Sequence, residues 1–190
     1  MRLRLTALMI SLVLLCGCSG GTQDRERVET LRSRIGTAAG ISFRAELETD
    51  DGSARERYEY FCTHSDGETV IELLEPDLIS GVTARISDKS AELSYDGLSF
   101  EVGTLDQNGL SPIRTPEILL SALEKGVVSQ LRRETLDGAE TIAFRVLSVS
   151  GYDTDIWIDA QTLSPRRAEI LADGRAAVCC GIAEWNIKEG

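Results

Sequence analysis

The stretch that decides the fold is AELSYDGLSFEVG, residues 91–103. Apolar residues occupy every second position in both of its halves, and the dipeptide Asp96-Gly97 separates the halves. A period of two is typical of a β-strand with one buried face, and Asp-Gly is a preferred sequence for a tight type I′ turn. The stretch therefore predicts an antiparallel hairpin. Its apolar face would carry Ala91, Leu93, Tyr95, Leu98, Phe100 and Val102.

The same two signals recur along the chain. Asp-Gly also occurs at residues 51–52, 66–67, 137–138 and 173–174, each time between segments of strand character. The four prolines all fall at segment edges, where a missing N–H least disturbs a sheet. We predict about eleven strands. They lie near residues 41–50, 54–65, 68–75, 81–88, 91–96, 98–103, 129–136, 140–149, 153–160, 165–173 and 175–187.

An N-terminal segment, DRERVETLRSRI, has the period of a helix instead. Its apolar residues Val28, Leu31 and Ile35 recur at spacings of three and four. Thr22 is the expected N-cap and Gly36 the expected end of this helix.

A second helical segment, RTPEILLSALEKGV, interrupts the strands. Thr115 is the expected N-cap, Pro116 suits the first helical position, and Gly126 follows the last one. This pattern predicts a lid helix near 115–126. Its apolar face would carry Ile118, Leu119, Ala122 and Leu123.

These elements predict a fold that is mainly β with a few helices. A sheet with one apolar face must bury that face, and two helices cover it most economically if the sheet curves around them. We therefore expect a curved antiparallel sheet, an open half-barrel, with helices on its concave face. Residues 24–190 would form this single domain, and residues 18–23 a tether.

Residues 1–17 have the organisation of a bacterial lipoprotein signal peptide. Arg2 and Arg4 precede the apolar run LTALMISLVLL, which is about half as long as the ~20 residues that cross a bilayer. The run ends in Leu15-Cys16-Gly17-Cys18, which resembles the lipobox. The resemblance implies that Cys18 becomes the first mature residue and carries lipid, including acyl chains such as palmitate. The alternative is an ordinary secreted protein in which Cys18 has no special role.

The net charge and the predicted lipid anchor together indicate which partners and which cellular location to expect. Removal of Arg2 and Arg4 with the signal peptide takes the formal net charge from −11 to −13. This acidity argues against nucleic acid as a partner. We expect the domain to be held by lipid at a cell membrane and to face away from the cytoplasm. Outer-membrane anchoring is expected only if the source has an outer membrane.

Motifs for catalysis or metal binding are absent from the sequence, so we predict no enzyme activity, cofactor or metal site. Cys62 and the single histidine, His64, lie on one strand face, but a nucleophilic pair usually takes its base from a different element. Asp153, Asp155 and Asp159 lack the glycine and glutamate of a calcium loop. They are expected on the solvent face of a strand with Trp157.

The cysteines of the predicted domain leave two interpretations open. Export permits a disulfide between Cys62 and either Cys179 or Cys180 if their strands are neighbours. Otherwise all three pack as small buried hydrophobic side chains.

The chain resembles the bacterial lipoprotein-carrier superfamily, which includes the carrier and receptor of lipoprotein sorting and mycobacterial lipid-binding lipoproteins. The resemblance rests on the order helix, strands, helix, strands over residues 24–188. It also rests on EPDLISGVTARISDKSAELSYDGLSFEVGTLDQNGLSP, residues 75–112, and DIWIDAQTLSPRRAEI, residues 155–170. It implies an open half-barrel whose apolar concave face holds acyl chains or another hydrophobic segment.

The expected function follows from this resemblance and the anchor. We expect a membrane lipoprotein that binds an acyl chain, a lipid or a lipidated protein without covalent catalysis. The alternative is an envelope interaction or sensor domain that binds a protein partner with the same fold. Because aromatic residues make up only 5% of the chain, the lining should be mainly aliphatic. The candidate ligand-lining residues, which otherwise pack as a dry core, are Phe43, Leu47, Val82, Ile86, Leu93, Phe100, Leu119, Leu123, Phe144 and Val146.

Overall fold

The structure, a computed structural model, describes residues 20–50, 55–87, 90–103, 111–147 and 151–190. The predicted signal peptide and Cys18 lie outside these ranges. Two α-helices, α1 (Gly20–Gly36) and α2 (Thr115–Lys125), accompany short 3-10 helices at Asp77–Ile79 and Pro112–Arg114. The strands are β1 (Ala38–Asp50), β2 (Arg55–Ser65), β3 (Glu68–Glu75), β4 (Thr83–Ile86), β5 (Ala91–Tyr95), β6 (Leu98–Gly103), β7 (Val127–Leu136), β8 (Ala139–Leu147), β9 (Asp153–Asp159), β10 (Pro165–Ala172) and β11 (Arg175–Glu189).

All eleven strands form one antiparallel sheet. Its order is β6-β5-β4-β3-β2-β1-β11-β10-β9-β8-β7, so two meanders meet where β1 pairs with β11. The edges of the sheet are β6 and β7, which are not paired with each other in the described residues, and the sheet is therefore open. The predicted open antiparallel sheet of about eleven strands is confirmed.

The Asp-Gly turns have the backbone that the sequence predicts. At residues 66–67, 96–97, 137–138 and 173–174, φ lies between +48° and +52° at the aspartate and between +76° and +78° at the glycine. Positive φ at both central residues is the signature of a type I′ turn, which matches the twist of the two strands it joins. The fifth pair, at 51–52, lies outside the described residues.

The two helices fill the concave face. On α1, Val28, Leu31 and Ile35 are buried as predicted, and the predicted apolar face of α2 is buried in full. Both helices share one hydrophobic core with the inward-facing residues of the strands. The expected placement of helices on the concave face is therefore confirmed.

The first helix begins earlier than the sequence predicts. It starts at Gly20, so Thr22 lies inside it and is not its N-cap, and residues 20–23 of the expected tether are helical. A long-range ion pair ties this end of the helix to the sheet, because Arg133 on β7 binds the buried carboxylate of Asp24 with hydrogen bonds of 2.8 and 2.5 Å. Tertiary contacts of this kind override the low helix propensity of glycine.

The predicted N-cap of α2 is also wrong. Arg114 occupies that position, and Thr115 is the first helical residue. The 3-10 turn at Pro112–Arg114 runs directly into α2, so Arg114 already has helical backbone angles and no extended capping residue exists. The hydroxyl of Thr115 is buried with no hydrogen-bond partner among the described residues.

A side chain of α1 caps the other end of α2. Arg32 donates from Nε to the carbonyl of Leu123 at 2.8 Å, and from Nη2 to those of Gly126 at 2.7 Å and Glu124 at 3.3 Å. The last carbonyls of a helix have no partners within the helix, and a cation suits that negative end. Arg32 therefore fixes the two helices against each other.

Gly126 ends α2 for a reason other than a left-handed backbone, since its φ and ψ are −72° and 163°. A Cβ at this position would lie 2.0 Å from Cγ1 of Val146 and 2.8 Å from the carbonyl oxygen of Ala122. We expect Gly126→Ala to lower the free energy of unfolding by about 1–3 kcal/mol, because the helix must move away from β8. Urea denaturation measures this change.

Gly36→Ala is the matched control, because a Cβ at Gly36 meets nothing within 4 Å. Gly36 also ends a helix, and Gly36→Ala should leave the free energy of unfolding unchanged or slightly raised. Equal losses in the two variants would contradict the close approach of α2 to β8.

The pair between Asp24 and Arg133 predicts a pH-dependent contribution to stability. The hydrogen bond from Arg133 lowers the pKa of Asp24 below its ordinary value. A carboxyl with a lowered pKa in the folded state stabilises the fold above its unfolded pKa and loses that contribution as pH falls through the folded pKa. We expect Asp24→Asn to be less stable than wild type at about pH 5–7, and the difference to shrink progressively as pH falls below about 4 and through the lowered pKa of Asp24. Thermal denaturation across this pH range measures it, and a difference that persists in acid would contradict the ionic pair.

Candidate functional site

One row of residues crosses the concave face from β1 to β6. Directly opposed residues of an antiparallel sheet share a face, so the row is read from the strand register. It consists of Phe43, Cys62, Ile71, Ala84, Leu93 and Phe100. Its β1 end is fully buried, with Phe43 0% exposed, whereas Phe100 at the β6 end is 62% exposed. The concave face is therefore filled in its middle and open at the β5–β6 hairpin.

The open part is apolar over both strands of that hairpin. Tyr95 lies opposite Leu98, and the half-buried Leu93 lies opposite Phe100. The exposed fractions are 53% for Tyr95, 61% for Leu98 and 43% for Val102, which follows them on β6 at a shift in its register with β5. We call Leu93, Tyr95, Leu98, Phe100 and Val102 the open apolar patch. Large exposed apolar patches are typical of interaction and ligand-binding sites, which makes this patch the candidate site.

The positions of the helices explain why the patch is open. The main contacts of α1 are with α2, β1, β7 and β11, and those of α2 are with α1, β8 and the adjoining 3-10 turn. Both helices thus lie mainly over the C-terminal half of the sheet. The β5–β6 hairpin is at the far edge of the other half.

The ten predicted lining residues fall into two groups. Seven lie in the closely packed core, while Val82 and Leu93 are half-buried at its margin and Phe100 is exposed. The structure therefore places three of the ten at or near the open end and does not bring all ten to one cavity. The seven core residues are Phe43, Leu47, Ile86, Leu119, Leu123, Phe144 and Val146.

The sequence prediction of the lining omitted Tyr95, Leu98 and Val102. Their signal is present in residues 91–103, where they share the apolar face of the predicted hairpin with Phe100. An apolar face is not always a covered face, and only the three-dimensional positions of α1 and α2 distinguish the two.

Cavities elsewhere on the surface have a different character. Four of them, of about 200–350 Å³, have linings rich in charged and polar side chains. The cavity of about 350 Å³ lies between α2 and the β2–β3 hairpin and includes His64, Thr69, Glu117 and Glu124. Of the ten predicted lining residues, Ile86 is the one that lines any of these four cavities.

The three cysteines of the described residues, Cys62, Cys179 and Cys180, are free, and Cys62 and Cys180 are buried. A disulfide between them required neighbouring strands, but β1 separates β2 from β11. Burial raises the pKa of both thiols to about 12, so neither is a ready nucleophile. His64 contacts Thr69, with Nδ1 and Oγ1 2.9 Å apart. Cys62 and Cys180 thus pack as small hydrophobic side chains, whereas Cys179 is half-buried.

The aspartates of β9 serve the structure of the sheet. Asp155 accepts hydrogen bonds of 2.7 and 2.8 Å from Arg145 on β8. Asp159 accepts from the backbone N–H groups of Gln161 and Thr162, each at 2.9 Å, and these bonds lower its pKa. Within the described residues, no group of three or more His, Cys, Asp or Glu side chains is placed to hold a metal ion.

Trp157 lies on the face of β9 that the alternation predicts. It is nevertheless only 8% exposed. The guanidinium groups of Arg132 and Arg167 lie 5.9 and 5.7 Å from its ring centroid, and its Nε1–H donates to Glu134. Charged side chains therefore cover this tryptophan and close the outer face of the sheet.

None of the helices in the described part of the chain has the length and apolar character needed to cross a membrane.

Comparison with known proteins identifies solved structures with a similar fold. No protein-family model matches the sequence, and no curated protein sequence matches it. Solved structures do match. A DUF1329 family protein from Desulfovibrio piger is 12% identical, with 88% of this chain and 92% of that chain covered and a TM-score of 0.53. The Mycobacterium tuberculosis lipoprotein LppX is 14% identical, with 87% and 96% covered and a TM-score of 0.50.

A LolA superfamily protein from Nitrosomonas europaea also matches, at 9% identity, 87% and 94% coverage and a TM-score of 0.45. At these identities the likeness is one of fold. The curved, open sheet with helices on its concave face is the arrangement that the sequence resemblance implies. The chain therefore shares its fold, an open antiparallel sheet with helices on the concave face, with the DUF1329 family protein and with LppX.

Proposed function

We propose that this protein is a membrane-anchored bacterial lipoprotein that binds a hydrophobic ligand, such as an acyl chain, at the open apolar patch. The observation that carries the proposal is the exposure of Tyr95, Leu98 and Phe100 on a face that is buried elsewhere in the sheet. The fold likeness to the lipoprotein LppX supports it. The lipobox supports attachment to the membrane through Cys18.

Binding at the patch requires no covalent chemistry. Each methylene group of an acyl chain that leaves water contributes about 0.8 kcal/mol. A chain laid along β6 would also cover side chains that now face solvent. Binding and release would then follow the transfer of apolar surface between the membrane and the protein.

The fixed position of α2 favours the open patch over a deeper pocket. A ligand in contact with Leu119 or Leu123 requires α2 to leave the core, in which both side chains are 0% exposed. The hydrogen bonds from Arg32 to the end of α2 oppose that movement. A ligand at the patch displaces neither helix.

Photolabelling tests this proposal. The full chain in nanodiscs of phosphatidylcholine receives a palmitate analogue that carries a diazirine, and the labelled peptides are mapped by mass spectrometry after irradiation. We expect label in residues 95–102. The double variant Leu98→Ser/Phe100→Ser should lose about tenfold or more of it, because the apolar contact area is removed.

Val127→Ser is the control, since Val127 is also 62% exposed but lies on β7, at the opposite edge of the sheet. In Val127→Ser, the palmitate analogue should label residues 95–102 to the same extent as in wild type. Equal labelling of the double variant and wild type would contradict the proposed site.

A further inference from the structure

The strand that carries the open apolar patch is also an edge of the sheet. β6 pairs with β5 on one side, and the order of the described strands ends there. An edge strand presents N–H and C=O groups that pair readily with a strand from another chain. Leu98 and Phe100 point to the concave face of this edge, and Ser99 and Glu101 point to the other face.

Apolar and acidic residues are concentrated at this corner. Five of the seven exposed large hydrophobic side chains of the described residues are here, on residues 75–81 and 91–103. The same two segments hold five carboxylates and no lysine, arginine or histidine. The hydrophobic residues are Leu78, Tyr95, Leu98, Phe100 and Val102. The acidic residues are Glu75, Asp77, Glu92, Asp96 and Glu101.

The register identifies a place for a cation on the outer face of the edge. Arg85 on β4 lies opposite Glu92 on β5, and Glu92 lies opposite Glu101 on β6. The guanidinium of Arg85 pairs with Glu68 on β3 at 3.2 Å. Like charges directly opposite each other destabilise a sheet, whereas opposite charges stabilise it. A cationic residue on a further strand, opposite Glu101, would offset the repulsion between Glu92 and Glu101.

We propose that β6 accepts an added strand from a partner protein, an extended segment in which apolar residues alternate with lysine or arginine. Its apolar side chains would cover Leu98 and Phe100 on the concave face. Its cations would face Glu101 on the other. This proposal uses the same patch as the proposed function but does not depend on a lipid ligand.

The charge of the corner argues against two other occupants. A second copy of the chain paired edge to edge would bring its own acidic corner against this one, which costs free energy through like-charge repulsion. A membrane surface with anionic lipids would be repelled for the same reason. A cationic segment is attracted by both the charge and the apolar surface.

A peptide titration tests the added strand. The full chain in nanodiscs of phosphatidylcholine is titrated with a labelled, end-capped octapeptide that alternates lysine and valine, and binding is followed by fluorescence anisotropy. Two further peptides carry N-methyl groups on all valines or on all lysines. Only one set of amides faces β6 in a paired strand, so we expect one N-methylated peptide to lose binding and the other to retain it.

Charge variants complete the test. Glu101→Lys should weaken binding of the lysine–valine peptide by about tenfold or more, and added salt should weaken it as well. Glu26→Lys makes the same change in charge at an exposed position on α1 and should stay within about twofold of wild type. A peptide that alternates glutamate and valine should not bind.

Three results would each overturn the proposal. The first is that the lysine–valine peptide does not bind at millimolar concentration. The second is that both N-methylated peptides bind as tightly as the unmethylated peptide. The third is that the glutamate–valine peptide binds as tightly as the lysine–valine peptide. Failure of the added-strand proposal can be distinguished from failure of the proposed lipid binding. Palmitate photolabelling should persist in Glu101→Lys, because this side chain lies on the face opposite the patch, and it should fall in Leu98→Ser/Phe100→Ser.

Discussion

Cys18→Ala is expected to abolish acylation of the protein completely. The cysteine thiol is the expected attachment atom, and no other side chain replaces it in this chemistry. Metabolic labelling with an alkyne analogue of palmitate, combined with the intact mass, measures the effect. Wild type should carry label and begin at Cys18, whereas the variant should carry no label.

Cys16→Ala is the matched control, since it changes the other cysteine of Leu15-Cys16-Gly17-Cys18 at a position where the lipobox tolerates many residues. It should be labelled and cleaved as wild type is. Acyl label that persists in Cys18→Ala would contradict the assignment of the anchor. Because α1 begins at Gly20, the anchor would lie close to the first helix, and the tether between them would be shorter than the sequence predicts.

Phe43→Ala is expected to lower the free energy of unfolding by about 3–5 kcal/mol, the usual cost of removing a buried phenylalanine ring. Phe43 is 0% exposed, and its ring stacks on that of Trp185 with 5.2 Å between centroids. Phe43 belongs to the hydrophobic core that the helices share with the sheet, so the substitution leaves a cavity among buried side chains. Denaturation by guanidinium chloride measures the loss.

Phe100→Ala is the matched comparison, because Phe100 ends the row of residues in which Phe43 is buried. It should cost less than about 1 kcal/mol of stability, since 62% of the residue is already exposed to solvent. Palmitate photolabelling of residues 95–102 should fall in Phe100→Ala. Similar losses of stability in the two variants would contradict the division of the concave face into a filled part and an open part.

The fold was largely readable from residues 91–103 and their repeats. Alternation and Asp-Gly turns are local signals, and the backbone at Asp96-Gly97 follows from those two residues alone. The start of α1 at Gly20 was not readable, because two glycines give no local helix signal there, and the pair between Asp24 and Arg133 that holds this end of α1 is long-range. These residues are far apart in sequence, and no local pattern connects them.

The candidate site was predictable only in part for a similar reason. Phe43 and Phe100 have the same chemistry and the same place in a strand pattern, yet α1 and α2 cover the strands near one and leave the other open. The separation of Cys62 from Cys180 likewise depends on the pairing of β1 with β11, which joins the two ends of the domain. Long-range pairing and the placement of helices are properties of the assembled fold.

Native mass spectrometry of the full chain, released from membranes in mild detergent, tests the central claim most directly. The account predicts that wild type carries a bound hydrophobic ligand in addition to its covalent lipid, and that Leu98→Ser/Phe100→Ser loses this ligand while Val127→Ser keeps it. A wild-type protein that carries only its covalent lipid, and that takes up no fatty acid when fatty acid is supplied, would contradict ligand binding at the open apolar patch.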